Sequence, residues 1–201
     1  MKKCILFDAD GVVVSGVMYS VAYQKQSGVS NEEMLPFYKG VFQDCLVGKA
    51  DLKEVIKPWL TKWKFEGTAD EFLNNWFEHE DVRNDDVIEF IKQLRDKGII
   101  CCLATNQEHY RTQFMKERMG FADLFHHVYS SAQIGYKKPE AEFYEYIFRE
   151  MNQLYGFTKE EIVYVDDTVE NVEGGKNAGI HSFHFTNLAD FKEYLLPIIE
   201  A

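Results

Sequence analysis

The chain has 201 residues, 46% hydrophobic and 27% charged, which is enough length and apolar content for one or two domains around a real core. Its net charge of −11, from 22 basic against 33 acidic residues with no long basic run, argues against nucleic acid and anionic membrane as partners. No stretch of about 18 apolar residues occurs, "MKKCILF" is too short for a secretory leader, and Cys4, Cys45, Cys101 and Cys102 form no CxxC. We therefore expect a reduced, cytoplasmic protein without disulfides, zinc or a membrane span.

The first predicted element is a short apolar strand, Cys4–Phe7, which runs straight into "DADG". Aspartate is a poor strand former and costly to bury alone, so Asp8 and Asp10 at a strand tip demand a reason. No strand pattern follows until about residue 83. "SNEE" at 30–33 and "TADE" at 68–71 have the form of capping boxes, and Trp59/Trp63 and Phe72/Trp76 are i, i+4 pairs. This stretch reads as a block of helices whose aromatic pairs form its core, not a ligand cage.

Val87, Phe90, Ile91 and Leu94 then follow i, i+3, i+4, i+7 spacing and predict a helix stopped by Gly98. Strands are predicted at Ile99–Ala104 and Val128–Ser130. Pro139 and Glu140 open a helix marked by Phe143, Ile147 and Met151. "TKEE" at 158–161 leaves room only for a turn before the strand Ile162–Val165. Gly174-Gly175 sits in a helical pattern and predicts close packing. The last strand is Ile180–Phe185. The histidines show no metal spacing: His126, His127, His181 and His184 are expected at sheet edges or in solvent, and His109 on a helix surface.

Such strand–helix alternation implies a parallel sheet with right-handed crossovers. The predicted fold is α/β: a Rossmann-like parallel core made of residues 1–14 and 84–201, with a small α-helical cap, 15–83, inserted after the first strand.

In open α/β sheets ligands bind beyond the carboxyl ends of the strands. The residues at those ends are Asp8 and Asp10, Thr105 and Asn106, Lys137 and Lys138 in "GYKKPE", and Asp166 and Asp167. Four carboxylates in one crevice repel one another unless a cation sits among them, and hard oxygen ligands suit Mg²⁺. A lysine is the organic cation of the set. Thr105 and Asn106 can hydrogen-bond a bound oxyanion, and Gly11 lets the backbone turn tightly past the carboxylates. The set suits phosphoryl transfer to aspartate, with Asp8 as nucleophile. Taken singly, the same residues have plainer readings. Asp8 and Asp10 can form an Asx turn, Thr105-Asn106 or Asp166-Asp167 can cap helices, and Lys137 can be a solvated surface residue.

"DADGV", "ATN", "KKP" and "VDD", in this order and each at a strand end, resemble the four motifs of the haloacid dehalogenase superfamily. The resemblance covers nearly the whole chain and is best matched from Val87 to Phe185. It is similar in particular to glucose-1-phosphate phosphatase-like members and to the phosphatase domain of some epoxide hydrolases. It implies that Asp8 attacks phosphorus and that Asp10 protonates the leaving oxygen and then activates water. Thr105 and the Asn106 backbone amide hold the phosphoryl oxygens, and Lys138 bridges Asp8 and phosphate. Mg²⁺ binds Asp8, the Asp10 carbonyl and Asp167, with Asp166 acting mostly through water.

The expected activity is Mg²⁺-dependent hydrolysis of a small phosphorylated metabolite, a sugar phosphate by resemblance, by a monomer or weak homodimer. The alternatives within the superfamily are a phosphomutase and a 2-haloacid dehalogenase, and Asp10 argues against the latter, whose pattern lacks that acid. A phospho-accepting signalling domain places its acid pair first and its Lys-Pro last, the reverse of this chain. A non-catalytic binding protein finds no support, since no motif position is substituted.

Overall fold

The computed structural model describes residues 3–200; Met1, Lys2 and Ala201, at the ends of the expected core range and of the N-terminal reading, lie outside the described residues. Strand β1 (Cys4–Phe7) pairs in parallel with β2 (Ile100–Thr105) on one side and β4 (Ile162–Asp166) on the other. Strands β3 (His127–Ser130) and β5 (His181–His184) form the edges, giving a five-stranded, all-parallel sheet of order β3-β2-β1-β4-β5. The predicted strands hold to within a residue or two at each end. His127, His181 and His184 lie on the two edge strands.

Alternation along the strands feeds two cores. Ile5, Phe7, Cys101, Leu103, Val163 and Val165 face one side, and Cys4, Leu6, Cys102, Ala104, Ile162 and Tyr164 face the other. The helix predicted from Val87 to Leu94 lies on the first side and completes its packing with Ile91, fully buried. The helix carrying Phe143, Ile147 and Met151 covers the second. All four cysteines are buried and free, Cys4, Cys101 and Cys102 as small hydrophobes in these two cores and Cys45 among the helices that follow β1. Gly174 and Gly175 do allow close packing: a Cβ on Gly175 would lie 2.4 Å from Ser182 Oγ, and one on Gly174 would lie 2.8 Å from the Pro139 carbonyl.

Five helices follow β1: α1 (Tyr19–Ser27), α2 (Asn31–Lys39), α3 (Phe42–Leu46), α4 (Leu52–Lys62) and α5 (Ala69–His79). Ser30 with Glu33 and Thr68 with Glu71 form the two capping boxes reciprocally. These helices share a separate core in which Trp63 is fully buried against Phe37 and Phe72, with ring centroids 5.1 and 5.5 Å away. The chain enters and leaves this block side by side. Ser15 N–H donates to the Val82 carbonyl and Asn84 N–H to the Val13 carbonyl, each at 2.8 Å. The remaining helices are α6 (Asp85–Asp96), α7 (His109–Glu117), α8 (Phe121–Leu124), α9 (Ser131–Ile134), α10 (Ala141–Tyr155), α11 (Val169–Asn177) and α12 (Leu188–Glu200). Among the described residues no helix is long and apolar enough to cross a membrane.

Candidate active site

Because β2, β1 and β4 are neighbours, the residues at their carboxyl ends converge. Asp8 follows β1 directly. Its N–H donates to the Val165 carbonyl (2.9 Å), and its Oδ1 accepts from Ala9 N–H (2.7 Å). Lys138 comes from the loop after β3 and is 3% exposed. Its ammonium lies 2.7 Å from Asp8 Oδ1 and 2.7 Å from Asp166 Oδ2, and donates to the Ala104 carbonyl at 3.0 Å. The three hydrogens of the ammonium thus have three acceptors.

The start of the helix after Lys138 differs from the sequence expectation. Pro139 does not open the following helix: α10 begins at Ala141 with Glu140 before it, and the Lys138–Pro139 peptide is cis. The backbone of Lys138 is instead held from both sides by the side chain of Asn106. Asn106 Oδ1 accepts from Lys138 N–H (2.8 Å), and Nδ2 donates to the Lys138 carbonyl (3.0 Å). The side chain of Asn106 is therefore committed to the Lys138 backbone. Thr105, at the end of β2, is buried and caps no helix, because α7 starts at His109 with Glu108 as its cap. His109 itself is exposed on that helix.

The two acids after β4 are treated differently. Asp166 is fully buried and accepts from Lys138, from Thr168 N–H (2.7 Å), from Asn171 Nδ2 (3.1 Å to Oδ2) and from the Tyr164 hydroxyl. Asp167 is exposed, and among the described residues its carboxylate accepts only one long side-chain contact, from Thr168 Oγ1 at 3.4 Å. Its carboxylate lies over Gly11, where a Cβ would sit 2.1 Å from Oδ2. Gly11 has φ +84, so it supplies both the turn and the room for Asp167.

One oxygen each of Asp8, Asp166 and Asp167 lie within 4.8 Å of one another. Burial pushes the Asp8 carboxyl well above its ordinary range, more than Lys138 draws it down, and Asp166 adds to the rise. Burial likewise raises Asp167, helped by Asp166. Burial alone would depress Lys138, but Asp8 and Asp166 together lift it above its usual value, so it stays charged. A single ammonium does not neutralise three carboxylates. The donor set, hard and all-oxygen, fits a divalent cation such as Mg²⁺.

Asp10 points elsewhere. Its carboxylate is not part of the three-acid cluster; Oδ2 accepts from Gln107 Nε2 at 2.5 Å. Asp10 is solvent-exposed, and the desolvation that crowding imposes on its carboxyl raises it against the opposing pull of Arg111 and Gln107. Asp10 lines a cavity of about 290 Å³ between the helical block and the sheet ends. Trp76, expected only as core, is both 9% exposed and part of the cavity wall.

Several contributors escaped the sequence reading. Gln107 stands one residue beyond the "ATN" motif, and its polarity at a strand end was the available signal. Tyr164 and Asn171, which fix Asp166, look like strand and helix residues. Arg111 reads as a solvated helix residue, yet it is 2% exposed, donating to the Phe77 carbonyl (2.7 Å) and the Glu80 carbonyl (3.0 Å) at the end of α5.

The sequence profile of haloacid dehalogenase-like hydrolases matches residues 2–179. The chain belongs to this family. Among curated relatives it is 25% identical, over the full length of both chains, to a D-ribitol-5-phosphate phosphatase of Bacteroides thetaiotaomicron. It is 36% identical to the pyrimidine 5'-nucleotidase PynA of Streptococcus pneumoniae over 33% of this chain and 27% of that one. Among solved structures, a HAD family enzyme of Bacteroides thetaiotaomicron superposes with a TM-score of 0.80 at 17% identity, covering 96% of this chain and 98% of that one. Its wild-type complex with magnesium and inorganic phosphate superposes with a TM-score of 0.73 at 18% identity, covering 91% and 93%. These likenesses, with the five-stranded parallel sheet, establish the α/β fold of a haloacid dehalogenase-like hydrolase.

Proposed function

We propose that this family member is a Mg²⁺-dependent phosphatase of small phosphorylated metabolites, working through an aspartyl-phosphate on Asp8. The observation that carries the reading is the buried bridge of Lys138 to Asp8 and Asp166 at 2.7 Å each, beside a freer Asp167. Of the two acids that Lys138 bridges, Asp8 keeps some side-chain exposure, 10%, whereas Asp166 has none. The name of the full-length Bacteroides relative and the magnesium–phosphate complex of the structural neighbour support the same class.

In this reading a carboxylate oxygen of Asp8 forms a bond to phosphorus as the ester P–O bond breaks. Asp10, set beside the cavity and held by Gln107, gives its proton to the departing alkoxide. Asp10 then takes a proton from water, whose oxygen attacks phosphorus, releasing phosphate and free Asp8. Lys138 offsets negative charge on the phosphoryl oxygens throughout, while Thr105 and the Asn106 amide hold them. Mg²⁺, held by Asp8, Asp167 and the Asp10 carbonyl, would screen the repulsion between phosphate and Asp8; the saturated contacts of Asp166 suit a water-mediated role. Residues 15–83 act as a cap over residues 1–14 and 84–201. Its own core and its narrow attachment support movement as a unit that excludes water. The protein would work as a monomer or weak homodimer in the cytoplasm, where its four free, buried cysteines stay reduced.

The test is Asp8→Asn. It should abolish Mg²⁺-dependent hydrolysis of p-nitrophenyl phosphate and the ability of beryllofluoride to add to the site. Near-normal turnover by Asp8→Asn would sink the mechanism.

A further inference from the structure

The cavity beside Asp10 has an unusual balance of groups, and its place fixes what it must hold. Asp10 delivers the proton to the leaving oxygen in the reading above, on which this inference rests. The carbon skeleton attached to that oxygen therefore occupies the cavity that Asp10 lines. At about 290 Å³ it stands near the small end of ligand pockets, which run from about 300 to 1,000 Å³.

Its cap-side wall is Tyr38, Phe42, Leu46, Trp76 and Phe77. Its charged groups are mostly engaged within the chain. Arg111 spends its guanidinium on the Phe77 and Glu80 carbonyls, and its Nε is buried without a partner. Glu80 accepts from Tyr19 N–H at 2.7 Å and faces Arg111 at 3.9 Å. Glu108 caps α7, accepting from the N–H groups of Tyr110 (2.8 Å) and Arg111. Gln107 holds Asp10, and Asn106 holds Lys138. Among the described residues, the hydroxyls of Tyr38 and Ser20 and one side-chain oxygen each of Asp10 and Gln107 line the cavity without a hydrogen bond inside the protein, and none of them lies on the wall of Phe42, Leu46, Trp76 and Phe77. A polyol hydroxyl turned toward that wall would lose its water without a partner, at a cost of about 1–3 kcal/mol for each unpaired group. An additional anionic group would meet Asp10, Glu80 and Glu108, with the one nearby cation already used.

We propose that the substrate is a phosphomonoester of a compact, uncharged, apolar-bodied alcohol, its skeleton packed against Phe42, Leu46 and Trp76, and not a polyol phosphate. Aromatic walls reward such a skeleton by burying its surface, and a wall without donors or acceptors penalises the hydroxylated alternative.

The experiment compares kcat/KM, with Mg²⁺ present, for phenethyl phosphate, D-ribitol 5-phosphate and phosphocholine, with acetyl phosphate as a substrate whose leaving group barely fills the cavity. The three alkyl esters have leaving groups of similar intrinsic reactivity, so differences among them report the cavity. We expect phenethyl phosphate to exceed the other two esters by at least about tenfold. Leu46 lines the cavity but lies outside the aromatic core of the helical block, so Leu46→Asp tests the wall without opening that core. It should lower the ratio of phenethyl phosphate to acetyl phosphate turnover about tenfold, with thermal melting as the check on folding. Equal rates for the three esters, or preference for ribitol 5-phosphate or phosphocholine while acetyl phosphate is hydrolysed, overturns the substrate class and leaves the phosphatase reading standing. No Mg²⁺-dependent hydrolysis of any of the four, acetyl phosphate included, overturns both.

Discussion

Replacing Gly11 by alanine would strike the site without touching any chemical group in it. Two costs follow, and the structure separates them. The first is backbone strain: at φ +84 an alanine costs about 1–2 kcal/mol. The second is collision. The new Cβ would sit 2.1 Å from Asp167 Oδ2 and 2.2 Å from its Cγ, where contacts below 3.0 Å essentially do not occur. The Asp167 carboxylate must then retreat by about 1 Å, a displacement that can cost roughly 100-fold in rate when it affects a positioned group. Gly98 supplies the control. It has φ +80, and an added Cβ would meet nothing within 4 Å, so Gly98→Ala suffers the strain alone. Both variants should lose roughly 2–8 °C in melting temperature from strain. Only Gly11→Ala should lose about 100-fold in kcat/KM for p-nitrophenyl phosphate, and its Mg²⁺ titration should shift to higher concentration. Activity of Gly11→Ala within about threefold of wild type at subsaturating Mg²⁺ would refute the role given to Asp167.

Lys138→Ala should abolish turnover and also destabilise the fold, by about 3–5 kcal/mol, because Asp8 and Asp166 are left buried without their cation; urea unfolding reads the second effect. Lys137→Ala, which removes only a 2.5 Å bond to Gln43 Oε1, should keep most of the activity, and the reverse result would show the motif register to be wrong. Burial pushes the Glu108 carboxyl up to about 7 from an ordinary value of 4.5. The unfolded chain therefore gives up this proton first. The associated stability is complete below about pH 4.5 and is lost as pH rises through about 7, a term on the order of a few kcal/mol. Glu108→Gln removes it, so the stability of the variant relative to wild type should improve between about pH 5 and pH 8; a constant difference in urea midpoints across that range would count against the buried carboxyl. Chelation with EDTA should stop hydrolysis and lower the melting temperature, with recovery on adding Mg²⁺, since a ligand bound only by the folded state stabilises it. Full activity after exhaustive chelation would show that the carboxylate cluster works without a metal.

The strands were legible because each is a short apolar run closed by polar residues, and burial on both faces leaves such runs little choice. The capping boxes at Ser30 and Thr68 were legible for a similar reason: their bonds lie within four residues. Helix α1 was not, since Met18 before it makes no side-chain cap bond and its sequence has no apolar stripe. The strand order also stayed hidden, because nothing local to β3 or β5 says which edge it takes. At the site, the motif residues showed themselves by place and type. Their supports did not. Asn106 reaches Lys138 across 32 positions, and Arg111 is buried by carbonyls of a helix about 30 residues earlier. Such bonds use backbone atoms that every residue has, so no pattern of side chains announces them.

The paired crossings at Ser15–Val82 and Val13–Asn84 have a mechanical consequence. Two independent tethers would let the five helices swing in any direction. Two chains joined by hydrogen bonds form a ribbon, which bends readily across its face and resists shear along its length. Were the five helices to move as the proposed cap, their rotation would be channelled toward a single axis, and each swing would return the cavity wall to the same place above Asp10. Since the joining bonds are made by backbone atoms, this guidance survives almost any change of side chain. The wall can be rewritten for a new leaving group without rebuilding the hinge beneath it.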